Sequence, residues 1–578
     1  MNKIRTGQGN RLLARAFALL FEVSPHIFAL LAVGAGVILL TSGVTPAYED
    51  RLDDIRAILP PILIELSHFG ASISGFLLLL LSAGLWRRRR GAWLAAVVVL
   101  LLASAFSLLK GLDWEEAAEL LVLAAVLAPC RAAFDRRSRL FEALSPSWVM
   151  LVLTVVAGML WLGFFAYRDV AYTDDLWWSL LIDREVSGFL RVGAVLALLA
   201  VIVAGRSLIS APGARSHGPA DEADVVRALL ILQAGEGVLP DGWLAMLRDK
   251  ALMFSPSGRS FIAYRVRGRR WITMGEPVGP EEEHLSLLWA FAEMADSYGG
   301  VAVFYAVEET ALADLATLGL AVRKIGEEAL VDTEAFTLQG KSRQNLRTAV
   351  NRCEREGATF EMLPPGAALA DMAQLRAVSD IWLTNHIGTE KGFSLGRFDP
   401  GYLALTPIAV VRQGERIVAF ANLMPGGDRL AVDLMRFTPD APPGAMDYLF
   451  IHAIQWAKGE GYRWLDLGRA PLAGLENRRL APVFARVGAL VFEEGGALYG
   501  FAGLRAWKAK FAPEWRPCFI AAPTSTPLAL ALLDVALLTS GGWIGMLGLN
   551  AKRAGPAARP SQGPAVAADL SSLTPRPR

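Results

Sequence analysis

The chain has 578 residues, 53% of them hydrophobic and 20% charged, with 16 Trp and a mean hydropathy of +0.38. It is too long and too apolar for one ordinary soluble domain, so part of it is expected in lipid. Lys and Arg number 57 against 56 Asp and Glu, so no global charge excess points to a polyanion, and any such preference must come from local clusters.

The first 205 or so residues contain about six apolar runs, near 25–44, 58–84, 92–110, 116–130, 147–167 and 187–205, most of them close to the ~20 residues that span a hydrocarbon core. The fourth is short and contains Glu119. Basic loops alternate with acidic ones. Lys3, Arg5, Arg11 and Arg15 precede the first run, Arg87 to Arg90 follow the second, and Arg131, Arg136, Arg137 and Arg139 follow the fourth. Glu49, Asp50, Asp53 and Asp54, then Asp113, Glu115 and Glu116, then Asp169, Asp174 and Asp175 mark the other loops. The positive-inside rule then puts the N-terminus in the cytoplasm, and an even number of crossings returns the chain there after Arg206.

Glu65 and His68 stand at i,i+3 in the second run and share a helix face, either as intramembrane functional groups or as residues meeting headgroup water. No cleavable signal peptide is expected, because the first run is long and lacks a small-residue cleavage site. Cys130, Cys353 and Cys518 form no CxxC pair, which argues against a disulfide framework and a zinc site and fits a reducing compartment.

The membrane part is expected to cover 1–209, with a Gly/Pro/Ser-bearing linker over 210–222. Beyond it, β-prone runs at 260–275, 299–307, 408–426, 429–437 and 462–468 alternate with helical stretches around 282–298, 367–385 and 445–460. The strand–helix–strand–helix pattern occurs twice, which predicts two similar α/β lobes, 223–339 and 358–523. The run 527–549, within a C-terminal segment 524–550, reads as a helix packed on the domain or lying on the bilayer, with a further crossing as the alternative. The Pro-, Ala- and Ser-rich residues 551–578 read as a disordered tail.

Between the lobes lies "GKSRQNLRTAVNRCEREG" (340–357). At ~100° per residue, Leu346, Ala349, Val350 and Cys353 form one apolar stripe. Lys341, Arg343, Arg347, Arg352 and Arg355 project outside it, a face for a polyanion or simply a solvated surface. Downstream, Asp433 and Arg436 lie in "AVDLMRF", and Trp507, Lys508, Lys510, Phe511 and Trp515 lie in "GLRAWKAKFAPEW". Strict strand alternation separates Asp433 from Arg436, so they converge only where the strand ends or bulges. The alternative is a structural Asp–Arg salt bridge.

The basic segment, then "AVDLMRFTPDAPPGAMDYLF", "WLDLGRAPLAG" and "ALYGFAGLRAWKAKFAPEW", resembles the phosphatidylglycerol aminoacyltransferases, the multiple peptide resistance factor family, from about Ala223 to Ala522. The resemblance implies a multi-span α-helical membrane domain followed by a cytosolic α/β domain of two tandem GNAT-type lobes joined by the basic helix. It further implies an integral protein of the bacterial inner membrane that moves lysine or alanine from aminoacyl-tRNA to a glycerol hydroxyl of phosphatidylglycerol, with resistance to cationic antimicrobial peptides as the associated role. No cofactor and no metal are implied, and a homo-oligomer is left open.

On this resemblance Asp433 and Arg436 address the lipid head group and its hydroxyl, and Lys508 is a cation near the ester or phosphate. Asp466, Gly468, Lys510 and Trp515 would line the lipid or aminoacyl end, and Lys341, Arg343, Arg347, Arg352 and Arg355 would hold the tRNA acceptor arm through its phosphates. Longer family members carry an additional membrane block that translocates the product lipid, for which about six crossings leave no room. A tRNA-dependent peptidoglycan-bridge ligase and a non-enzymatic transporter or scaffold are the rival readings. An acyl-CoA acetyltransferase is disfavoured by the lack of an R-x-x-G-x-G/A turn to cradle pyrophosphate. The lack of G-x-S-x-G, H-E-x-x-H and P-loop motifs disfavours the common hydrolases.

Overall fold

A computed structural model describes residues 23–40, 42, 61–111, 113–136, 218–385, 390–494 and 501–543. The chain forms two compact units, Met1–Gly213 with Asp296–Gly299, and Ala214–Ala295 with Gly300–Arg578.

In the first unit the helices Val23–Leu40, Pro61–Trp86, Arg90–Gly111 and Trp114–Leu127 correspond to the first four apolar runs. Small residues let them approach closely: a Cβ on Gly36 would stand 2.8 Å from the Gly75 carbonyl oxygen, and Ala92, Ala96 and Ala103 are fully buried. By length and composition Val23–Leu40 and Arg90–Leu109 suffice to cross a membrane. The fourth helix, of 14 residues, is too short to span on its own. The fifth and sixth runs, the linker up to residue 217, the tail 551–578 and the side chains of Glu65 and His68 lie outside the described residues.

The second unit is organised by one mixed sheet of eleven strands: β1 (Ala251–Phe254), β2 (Phe261–Arg267), β3 (Arg270–Met274), β4 (Val301–Val307), β5 (Ala321–Asp332), β6 (Ala358–Leu363), β7 (Ile408–Gln413), β8 (Arg416–Gly426), β9 (Arg429–Phe437), β10 (Trp464–Pro471) and β11 (Glu514–Ala522). Their spatial order is β1-β2-β3-β4-β11-β5-β10-β9-β8-β7-β6. One order of elements occurs twice within this single sheet. An antiparallel meander ends in β3, crosses through the helix His284–Ser297 and returns as β4, parallel to β3. A second meander ends in β9, crosses through Ala445–Gly459 and returns as β10, parallel to β9.

The last strands are exchanged. β5 of the first half lies between β11 and β10, and β11 of the second half lies between β4 and β5. The two repeats are therefore woven into one sheet.

The segment 260–275 is a β2–β3 hairpin turning at Gly268 (φ 60°), and 408–426 is a β7–β8 hairpin turning at Gly414 (φ 61°). The 12-residue helix Leu528–Thr539 buries Ala531, Val535 and Leu537. Its Asp534 pairs with Arg267 at 3.1 Å and Arg270 at 2.5 Å. This helix packs on the domain, and residues 544–550 of the expected segment lie outside the described residues.

The basic helix Gln344–Arg355 follows a short turn, Lys341–Arg343. Its stripe is as the periodicity predicts, with Leu346, Ala349 and Cys353 buried and Val350 packed beside them. Its cations divide into two sets. Arg343 donates to the Lys510 and Phe511 carbonyls, and Arg347 donates to the Leu338 and Gly340 carbonyls, so both are half-buried and tie the connection together. Lys341, Arg352 and Arg355 are exposed, with Arg352 reaching Glu356 at 2.9 Å.

Candidate functional site

The parallel strands β9 and β10 pair over only three positions, Arg429–Ala431 with Trp464–Asp466. Past that point each strand gains one residue. On β9 the register with β8 shifts around Asp433 and Leu434, and Asn422 fills the bulge by accepting the Leu434 N–H at 2.8 Å. On β10 the register with β5 shifts between Asp466 and Arg469, where Gly468 takes φ 82° and donates its N–H to Asp466 at 2.7 Å. Bulges bend and re-aim strands, so the two strands part here.

The fork opens on a small cavity lined by Asp241, Glu276, Glu308, Glu328, Arg429, Asp466 and Arg469, with Leu239, Pro240, Met274 and Val278 among its apolar walls. Asp241 comes from the 3₁₀ segment Pro240–Leu247, which Trp243 anchors by donating to the Pro425 carbonyl at 2.7 Å. Arg429 grips Glu308 with two bonds of 2.7 and 2.6 Å. Arg469 pairs with Asp241 and stands 3.5 Å from Glu328. Lys508, buried behind the β10 bulge, donates to the Gly468 and Arg469 carbonyls at 2.8 and 2.9 Å.

Five carboxyl groups therefore face two guanidiniums and one ammonium. Burial pushes the Glu276 carboxyl up to about 7. Burial, then the neighbouring Asp466 charge, raises Glu328 well above the carboxylate range, and burial raises Asp466 as well. Burial lowers Lys508 to about 8. Burial and like charge thus favour the protonated form of Glu276, Glu328 and Asp466.

The β9 bulge brings Asp433 and Arg436 onto one face, yet they do not pair with each other. Asp433 accepts from the Tyr402 hydroxyl at 2.8 Å and the Gly396 N–H at 2.7 Å, and Asn422 donates to the Tyr402 oxygen at 3.2 Å. A Cβ on Gly396 would stand 1.7 Å from the Asp433 carboxylate, so only glycine fits there. Burial raises the Asp433 carboxyl. Asp241 acts on it in the same direction, while the fully buried Lys250 opposes, so Asp433 shares its electrostatic surroundings with the cavity.

Arg436 holds Glu390 with bonds of 2.9 and 2.7 Å, reaches Ser379, and lies 5.4 Å from the Trp382 ring centre. Its guanidinium already carries an oxyanion. The structural salt-bridge alternative thus applies to Arg436 and Glu390, not to Arg436 and Asp433.

Among the other residues singled out from sequence, Asp466, Gly468 and Lys508 meet at the fork. Lys510 instead pairs with Asp447 at 2.9 Å, and Trp515 packs on the core beneath Arg505 at 4.4 Å. Asp241, Glu276, Glu308, Glu328, Arg429, Arg469 and Tyr402 escaped sequence reasoning. One signal was available: Glu276 directly follows a buried strand and Gly275, a position where an unpaired carboxylate is costly.

Residues 231–522 match the family model described as phosphatidylglycerol lysyltransferase, C-terminal. The chain is 32% identical over 537 residues to a protein of Bacillus subtilis (strain 168) named phosphatidylglycerol lysyltransferase, covering 92% of this chain and 61% of that one. It is 29% identical over 393 residues to one of the same name from Staphylococcus haemolyticus, covering 67% of this chain and 46% of that one. It thus spans about half to three fifths of these relatives. Among solved structures, a C-terminal domain titled for lysylphosphatidylglycerol synthetase from Agrobacterium fabrum is 42% identical, with a TM-score of 0.50, covering 55% of this chain and 98% of that one.

Proposed function

The chain belongs to the family of phosphatidylglycerol lysyltransferase C-terminal domains, and from that premise we propose that it transfers lysine from lysyl-tRNA to a glycerol hydroxyl of phosphatidylglycerol at the β9/β10 fork. The observation that carries this reading is the set of five carboxyls, Asp241, Glu276, Glu308, Glu328 and Asp466, converging on one cavity. A lysyl ester carries two ammonium groups and an alanyl ester one. A buried site with surplus carboxyls rewards each additional cation, because charges interact strongly away from water. The duplicated meander–helix–strand unit supports the tandem GNAT-type lobes, and the apolar helices of the first unit support embedding in the membrane; the use of lysyl-tRNA requires the second unit on the cytosolic side.

In this reading the ester is already activated, so the reaction needs a hydroxyl brought to a carbonyl, a place for its proton and stabilisation of the oxyanion. Positioning two bound substrates supplies up to ~7–11 kcal/mol. Asp433, with its raised affinity for protons and its hydrogen bond to Tyr402, receives the proton of the attacking hydroxyl and returns it to the ribose oxygen of tRNA as the ester bond to that oxygen breaks. Arg436 exchanges Glu390 for the lipid phosphate, a planar fork passing from one oxyanion to another. Lys508 fixes the β10 bulge and adds positive charge beside the reacting ester. Lys341, Arg352 and Arg355 address tRNA phosphates, while Arg343 and Arg347 hold the helix that carries them. Lower membrane negative charge and resistance to cationic peptides would follow from the product.

The test is to supply membranes containing the full chain with labelled lysyl-tRNA and to extract chloroform-soluble, alkali-labile product. Labelled aminoacyl-phosphatidylglycerol is expected. Label entering a peptidoglycan precursor, or no transfer at all, would overturn the assignment.

A further inference from the structure

We propose that the helix Val483–Glu494 and the segment just before it form a docking surface for an anionic bilayer, seating the catalytic unit beside its lipid substrate. A surface helix ordinarily turns its apolar stripe inward and a polar face to water. This helix is apolar on both sides. Its inner side packs Phe484 and Ala489, and Gly488 sits so close to Leu475 that a Cβ would lie 2.7 Å from its side chain. Its outer side carries Val483, Val487 and Leu490, spaced four and three residues apart on one helical face and 66%, 55% and 54% exposed. Leu480, 85% exposed, precedes them.

The charge beside this stripe is segregated along it. Arg479 and Arg486 are exposed towards its start, Arg478 is paired with Glu476 at 2.9 Å, and the two acidic residues of the helix, Glu493 and Glu494, stand at its C-terminal end. An apolar stripe with arginines at one end is the pattern of a helix lying in the interface of a negatively charged membrane, its basic end at the head groups. Position supplies the second argument. The segment follows directly on β10, which carries Asp466 and Arg469 at the fork, and Gly488 rests against Leu472 and Leu475, just past the end of that strand. The next described helix, Phe501–Ala509, carries Lys508. A bilayer held at this face lies one element away from the proposed chemistry. The inference holds whichever amino acid is transferred.

The experiment places an environment-sensitive fluorophore on Val487→Cys in a Cys130→Ser background, since Cys353 and Cys518 are buried. The full chain is reconstituted in phosphatidylcholine vesicles with or without phosphatidylglycerol. Brominated lipid should quench the probe in the anionic vesicles at least twofold more than in the neutral ones, and aqueous iodide should lose access. The triple change Val483→Ser, Val487→Ser and Leu490→Ser should raise the apparent KM for vesicle-borne phosphatidylglycerol several-fold. Its KM for a short-chain, water-soluble phosphatidylglycerol should not change.

Equal iodide access in vesicles and in detergent would overturn the proposal. So would protection that appears already in detergent and rises with protein concentration, which would assign the stripe to a second copy of the chain. A transferase that uses alanine, or none, leaves the quenching result intact, so failure of the functional assignment and failure of the docking surface are distinguishable.

Discussion

The two halves of the sheet build the same unit and end it differently. In the first half β3 and β4 pair over five positions, from Arg270–Val301 to Met274–Tyr305, and the lacing continues beyond them. Gly275 donates to the Tyr305 carbonyl at 2.9 Å, and the Glu276 carboxyl accepts the Glu308 N–H at 2.7 Å. In the second half, pairing of β9 with β10 stops after three positions, and two bulges carry the strands apart. The closed fork lends its sealing residues, Glu276 and Glu308, as one wall of the cavity, and the open fork supplies Asp466 and Arg469. A duplicated scaffold thus closes one fork and leaves the other open, and the exchanged strands β5 and β11 hold the two copies in one sheet.

The largest effect is expected where the open fork meets the proposed chemistry. Asp433→Asn keeps the size and removes the proton acceptor, so turnover at saturating lipid should fall ~10²–10⁴-fold with the fold intact. Unchanged turnover would move the working edge away from β9.

The closed fork makes a different prediction, through pH. The folded Glu276 carboxyl stands at about 7 against an ordinary 4.5. Between those values the folded state keeps a proton that the unfolded state has released, so unfolding releases a proton and stability declines as pH rises through that window. Up to about 3 kcal/mol is at stake. Glu276→Gln can still accept the Glu308 N–H and has no charge to bury. Its melting temperature should exceed that of the parent at pH 8 and match it near pH 4, as followed by circular dichroism. A variant no more stable at pH 8 would show that the seal is not a buried acid.

Arg436→Lys retains charge and loses the planar fork, so lipid KM should rise about tenfold. Thermal stability should drop only slightly, because an ammonium can still meet Glu390. A large loss of stability with unchanged KM would make the Arg436–Glu390 pair structural.

The smallest effect concerns the basic helix between the halves. Lys341→Ala, Arg352→Ala and Arg355→Ala together should reduce the slope of log affinity against log salt for tRNA by about 2–3. Arg347→Ala alone should mainly lower stability, because it strands the Leu338 and Gly340 carbonyls.

The repeats were legible because each is announced locally: period-two runs, turns at Gly268 and Gly414, and a helix of 14 or 15 residues before the returning strand. The stripe of the basic helix was legible for the same reason. The division of its cations was not, because the carbonyls that Arg343 captures belong to Lys510 and Phe511, far away in sequence. The strand exchange likewise depends on β5 and β11, whose partners are set by tertiary pairing. Asp466, Gly468 and Lys508 could be placed by motif. The rest of the cavity could not, since Asp241, Glu276, Glu308, Glu328 and Arg429 come from five separate segments, each bland by itself.

The most direct test of the acidic cavity is a competition in a single reaction. Differently labelled lysyl-tRNA and alanyl-tRNA are offered together to the full chain in phosphatidylglycerol vesicles, and the two labels are counted in the lipid product. If the surplus carboxyls hold the second ammonium, lysine should be preferred by ~10–10²-fold, the worth of one buried charged hydrogen bond, and Asp466→Asn should reduce that preference. Equal incorporation, or a preference for alanine, would contradict the assignment of this cavity to a dicationic aminoacyl group.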